Sequence, residues 1–82
     1  MIDTKIVLYQ AEWCGYCASV REALTELLLD YKVINVPAEH AKRTGMREIF
    51  GTTGIPSMVD GDVVIAYDDQ AIIAYLRATY GS

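Results

Sequence analysis

Both cysteines of this chain fall in one short segment, Cys14-Gly15-Tyr16-Cys17, placed where the hydrophobic period changes. Before it, Lys5-Ile6-Val7-Leu8-Tyr9 is an apolar run rich in β-formers and reads as a buried strand. After it, from Tyr16 to about Asp30, Val20, Leu24, Leu27 and Leu28 recur at helical spacing, while Arg21, Glu22 and Glu26 take the other face. Lys32-Val33-Ile34-Asn35-Val36 reads as a second strand, stopped by Pro37. The first half is therefore a βαβ unit, whose strands should run parallel through a right-handed crossover.

The second half has a different grammar. A helix is expected from about Glu39 to Phe50, weakened in its middle by Gly45 and stopped at Gly51. Ser57-Met58-Val59 and Val63-Val64-Ile65 flank Asp60-Gly61, which signals a hairpin of type I′. Asp68 or Asp69 can cap a last helix, with Ile72, Ile73 and Leu76 on its apolar face. The predicted order is β-α-β-α-β-β-α, an α/β fold with a four-stranded mixed sheet and helices on both faces.

Length and charge narrow the function. Eighty-two residues give one domain, residues 1–82, that buries about 63% of its unfolded surface. Apolar residues at 52% and charged residues at 22% exclude a disordered tail. A net charge of −4 argues against nucleic acid as a partner, since phosphate binding needs a basic face. No apolar run approaches the ~20 residues of a membrane span, so no membrane is expected. Without a signal-peptide pattern the chain is read as cytoplasmic, where a purely structural disulfide is disfavoured.

The chemistry lies in the paired thiols. An i, i+3 spacing at a helix start brings both sulfurs to one turn, within reach of a disulfide. Cys14 sits where unpaired backbone N–H groups and the helix dipole favour thiolate, so it is expected to be the attacking nucleophile. Cys17, one turn inside, is expected to be more buried and to resolve the mixed disulfide by attacking Cys14. A zinc site needs four ligands, and the chain offers only Cys14, Cys17 and His40, so no metal site is assigned. A metal or cluster bridging two chains stands as an alternative.

At these residues the chain resembles the glutaredoxins of the thioredoxin-fold superfamily. The likeness covers nearly the whole length: the strand–Cys-x-x-Cys–helix start, Gly54-Ile55-Pro56 before the hairpin, and Tyr67-Asp68-Asp69 opening the last helix. It implies a thioredoxin-like fold and a thiol–disulfide oxidoreductase acting on protein or glutathione mixed disulfides. It implies a cis bond before Pro56, leaving the Ile55 backbone open to the cysteine of glutathione. It places the γ-glutamyl end of glutathione at Asp68 and Asp69, and the glycine carboxylate at Arg43. Trp13 is expected at the rim that receives a partner, and Tyr16 over the disulfide. Glutathione is the implied co-substrate and disulfide-bearing proteins the clients; no permanent cofactor is implied, and a monomer is expected.

The sequence also departs from that family. The usual lysine three residues before the first cysteine is Ala11, the usual Pro-Tyr between the cysteines is Gly15-Tyr16, and the usual Gly-Gly is Ile65-Ala66. The usual threonine before Ile-Pro is Gly54. Meanwhile Ala11-Glu12-Trp13-Cys14-Gly15 is similar to thioredoxin, although thioredoxin's buried aspartate falls on Leu8. Three alternatives follow: an electron donor reduced by a flavoprotein reductase, a glutathione-assisted cluster carrier, and a glutathione transferase. The last is the weakest, because transferases add an all-helical domain for which these residues hold no sequence.

Overall fold

One strand holds the two halves together. In the computed structural model, which describes residues 2–81, β1 (Ile6–Gln10) pairs in parallel with β2 (Lys32–Asn35), from Val7 opposite Lys32 to Gln10 opposite Asn35. On its other side β1 runs antiparallel to β3 (Ser57–Asp60), with Ile6 opposite Asp60 and Tyr9 opposite Ser57. β4 (Val63–Ile65) completes the sheet, in the order β2-β1-β3-β4. The helices are α1 (Gly15–Glu26), α2 (Met46–Phe50) and α3 (Asp69–Tyr80).

The alternation of β1 divides the core. Ile6 and Leu8, with Met58 of β3, face α1 and α3, where they meet Val20, Leu24, Ile72 and Leu76. All of these are essentially inaccessible to water, and truncating any one to alanine costs about 2–5 kcal/mol for the larger side chains. A smaller cluster joins Ala11, Cys17, Met46, Phe50 and Ile55, with Tyr9 and Val59 packed against it. There the Tyr9 and Phe50 rings meet edge to face, 5.1 Å apart. Met46 and Met58 are buried, one in each cluster, where the flexible thioether fills irregular space.

Three elements differ from the sequence expectation. The first helix ends at Glu26 rather than near Asp30. Leu28 adopts φ +57, the Leu29 N–H reaches back to the Leu24 carbonyl and the Leu28 N–H to that of Thr25. This is a Schellman ending with leucine where glycine is usual, so the stop carries no sequence signal. Leu28 is consequently exposed instead of lining the apolar face, while Leu29 is buried in its place.

The expected helix over 39–50 is broken. A 3-10 turn spans His40–Lys42, and α2 begins only at Met46, because Gly45 takes φ +86. Gly45 ends one segment and starts the next rather than weakening a continuous helix. The hairpin turn also shifts by one residue. Asp60 pairs with Val63, so Gly61-Asp62 are the central pair, and of these only Gly61 has positive φ. That pattern belongs to type II′ rather than I′.

The hairpin end is tied to α3 through one carboxylate. The hydroxyls of Tyr75 and Tyr80 donate to Asp60 Oδ2 at 2.7 and 2.6 Å. Hydrogen bonding to that carboxylate, aided by burial, raises both phenols, Tyr80 to about 12. The folded chain therefore holds these protons more tightly than the unfolded chain, whose tyrosines titrate near 10. The contribution is complete below pH 10 and disappears as pH rises through about 12. Wild-type protein is expected to melt above Tyr80→Phe at pH 8, and the gap in Tm should close towards pH 12. A gap that stays constant across that window would show that the phenol proton is not involved.

Candidate active site

Cys14 is the N-cap of α1, with extended backbone (φ −86, ψ 116). Its Sγ accepts the Cys17 N–H at 3.2 Å, the position a capping serine or aspartate oxygen usually fills. Upstream, the Cys14 N–H bonds the Ala11 carbonyl at 3.2 Å, so a tight turn delivers the strand end to the helix start. The sulfur is thus held against the Cys17 amide hydrogen at the positive end of a twelve-residue helix.

The two thiols differ in burial. Both are free; Cys14 is half-buried, and Cys17 has no accessible surface. Burial pushes the Cys17 thiol up to about 12, and its hydrogen bond with Cys14 adds to this. The Ala11 backbone and the Arg21 charge pull in the opposite direction.

The Ile55–Pro56 bond is cis, as the resemblance implies. Ile55 packs in the cluster that also contains Cys17, with Cys14 and Ala66 against it. Its backbone N–H and C=O make no hydrogen bond among the described residues. The loop is fastened from both sides. Ser57 Oγ, fully buried, donates to the Gly54 carbonyl at 2.8 Å and accepts the Tyr67 N–H at 3.0 Å. Ser57 thereby joins the cis-proline loop to the entry of α3. Nothing in the sequence marks it, since it reads as an ordinary first residue of a strand.

Gly54 has a local reason of its own. A Cβ there would run into the ring of Tyr67, which lies over it. Tyr67 itself holds φ +48 and remains exposed. Asp68 is the cap of α3, accepting the Ala71 N–H at 3.0 Å, and Asp69 is its first residue, in contact with Gln70 Nε2 at 3.0 Å. Trp13 and Tyr16 are exposed at 66% and 68%, so both stand free of the core, one on either side of Cys14 in the chain.

Arg43 is placed differently from what the resemblance implies. It is neither a solvated helix residue nor turned outward to a carboxylate, since only 5% of it is accessible. Its Nε donates to the Pro37 carbonyl at 2.8 Å, Nη1 to that of Thr53 at 2.8 Å and Nη2 to that of Ala38 at 3.3 Å. The guanidinium fastens the β2–α2 connection to the loop that leads into Ile55–Pro56. His40, beside it, is exposed at the surface and bonds Thr53 Oγ1 through Nδ1 at 2.9 Å. Thus the fold gathers Cys14, Cys17 and Ile55 of the cis bond, ties that loop through Ser57 to Tyr67 at the entry of α3, which Asp68 and Asp69 open, and uses Arg43 as a brace.

The glutaredoxin family model matches residues 6–65, from β1 through β4. The chain belongs to the glutaredoxin family. Among solved structures, a glutathione transferase homologue from Drosophila mojavensis with bound glutathione superposes with a TM-score of 0.86 at 28% identity, over 96% of this chain and 36% of that one. A glutathione S-transferase from the Antarctic clam Laternula elliptica gives 0.84 at 29% identity, over 94% and 36%. Glutathione transferase E6 from Drosophila melanogaster gives 0.84 at 28%, over 95% and 36%. A search of curated protein sequences gave no match. This glutaredoxin-family chain therefore has the thioredoxin-like fold, and spans about a third of the length of the transferases it matches.

Proposed function

We propose that this chain is a dithiol oxidoreductase that reduces protein or glutathione mixed disulfides, with glutathione as its co-substrate. The observation that carries the reading is the asymmetry of the pair: a half-buried Cys14 at the helix cap, and a fully buried Cys17 whose amide is on the Cys14 sulfur. The Cys14 thiolate attacks a substrate disulfide, forming a mixed disulfide and releasing one thiolate. Cys17 then loses its proton and attacks Cys14 Sγ; the Cys14–Cys17 bond forms, the mixed disulfide breaks, and the second substrate thiolate leaves. The substrate gains two electrons and the pair loses two. Two molecules of glutathione restore the dithiol and become glutathione disulfide.

Family membership and the glutathione bound to one structural neighbour support a glutathione-related thiol redox function. The open Ile55 backbone suits pairing with an extended peptide, and the α3 start suits a carboxylate and an ammonium through its N–H groups and Asp69. With Arg43 enclosed, the glycine carboxylate needs another partner or none. A second reading, reduction by a flavoprotein reductase, draws on the thioredoxin-like Trp13-Cys14-Gly15 flank and on Ala11 in place of lysine.

One assay tests both. NADPH oxidation is followed with a disulfide substrate, in one arm with glutathione and glutathione reductase and in the other with thioredoxin reductase. Turnover in the first arm alone is the expected result. Turnover only in the second would replace glutathione by a flavoprotein donor, and turnover in neither would overturn the oxidoreductase reading.

A further inference from the structure

The family's lysine near the first thiol is absent, yet a different cation, Arg21, is held against Ala11, the residue packed with the second. Arg21 follows Cys17 by four residues on α1, which places both side chains on one helical face. The Arg21 side chain is only 24% exposed. Its Nη1 bonds the Gln10 Oε1 and lies 3.5 Å from both the Ala11 carbonyl and Glu12 Oε2. Gln10 is itself buried, with its Nε2 donating to Asn35 Oδ1 at 2.7 Å and to Glu12 Oε2 at 3.1 Å. A side-chain network spanning β1, β2 and the β1–α1 turn thus pins one guanidinium against the Ala11 segment. Ala11 is in turn packed with Cys17.

We propose that Arg21, held by Gln10 and Ala11, is the positioning residue that supplies the positive field for Cys17 when it attacks the mixed disulfide. This rests on the dithiol reading above. The groups facing Cys17 leave few other sources of charge. Ala11, Met46, Phe50 and Ile55 bring none, Tyr9 sets its ring edge to face with Phe50, and Cys14 is already bonded to substrate at this step. Glu12 pairs with Arg21 at 3.5 Å, and its carboxylate partly offsets the cation. The buried thiol is held well up by desolvation, and the Arg21 charge works against that. In the step itself the Cys17 proton passes to solvent, the Cys17–Cys14 disulfide forms, the Cys14–substrate bond breaks, and the electron pair leaves on the substrate sulfur.

The test separates the two attacks in time. Reduced protein is mixed with the chromogenic aryl disulfide dithiobis-nitrobenzoate under stopped flow. Attack by Cys14 releases one coloured thiolate, and attack by Cys17 releases a second. In Arg21→Gln the first phase is expected to be unchanged. The second should slow about tenfold at neutral pH, the order expected for removing one partly screened charge near a buried sulfur. Its pH profile should also move upward. Arg21→Lys, which keeps the charge, should retain the second phase within about threefold, and Glu12→Gln should quicken it. An unaltered second phase in Arg21→Gln overturns the proposal. So does equal slowing of both phases, or Arg21→Lys as slow as Arg21→Gln, since either outcome means packing rather than charge. Cys17→Ser, with only the first phase, identifies the signal. A wild-type protein with a single phase overturns the dithiol reading itself, and with it the role of Arg21.

Discussion

Replacing Cys14 with serine is expected to lower disulfide reduction by roughly 10³-fold or more, since the alcohol has no accessible anion to attack sulfur. The fold should survive the change. A serine oxygen can accept the Cys17 N–H in place of Sγ, and serine is a preferred helix cap. Cys17→Ser should behave differently. Attack by Cys14 and its discharge by glutathione need only one thiol, so reduction of glutathione mixed disulfides should persist. Reduction of protein disulfides, which requires the second attack, should fail. Far-ultraviolet circular dichroism checks the fold, and the coupled assay reads each substrate. If Cys14→Ser kept its activity, or Cys17→Ser lost both activities equally, the proposed division of labour would be wrong.

The second large effect is on stability. Arg43→Met keeps an apolar stem in the buried space but leaves the carbonyls of Pro37, Ala38 and Thr53 without their donors. Hydrogen bonds from a charged donor contribute about 1.5–3 kcal/mol each, and buried orphan acceptors add their desolvation cost. Removing a guanidinium that folding must otherwise desolvate offsets part of this, and a net loss of about 3 kcal/mol is expected, which lowers Tm by roughly 12–24 °C in a domain of this size. Arg43→Lys should fall between, because one ammonium cannot reproduce the planar fork. Calorimetry checks this directly. An unchanged Tm together with a raised KM for glutathione would return Arg43 to the carboxylate-binding role that the resemblance implies. Because Arg43 braces the loop before the cis-proline, loss of stability should be accompanied by faster amide exchange at Gly54 and Ile55.

The main divisions of the fold were legible because they are written in short-range chemistry. The change from β-rich to helical period at Tyr9–Tyr16, a hairpin near Gly61 (though not its central pair) and a cap at Asp68 each depend on residues a few positions apart. The thiol pair was legible for the same reason, since an i, i+3 spacing at a helix start fixes which sulfur lies outward. The failures share a different cause. Leu28 takes a conformation usually left to glycine because Leu29 gains burial by it, which depends on the core and not on residue 28. Gly45 breaks a helix that propensity alone would only weaken, in a segment where the Arg43 guanidinium is drawn inward to carbonyls brought from two loops.

What the sequence determined by itself is the order of elements, the pair of thiols and the roles their positions favour. These follow from local periodicity, capping and the field of one helix end. Tertiary structure alone decided what surrounds the pair. Ser57 bridges the loop and α3, Tyr67 lies over Gly54, Arg43 serves as a brace, and Arg21 is pinned by Gln10 against the Ala11 segment. Each of the first three joins residues ten or more positions apart, and Arg21 is linked to a strand residue eleven positions away. Such contacts exist only after the chain has closed its sheet, because side chains that far apart meet by packing and not by spacing.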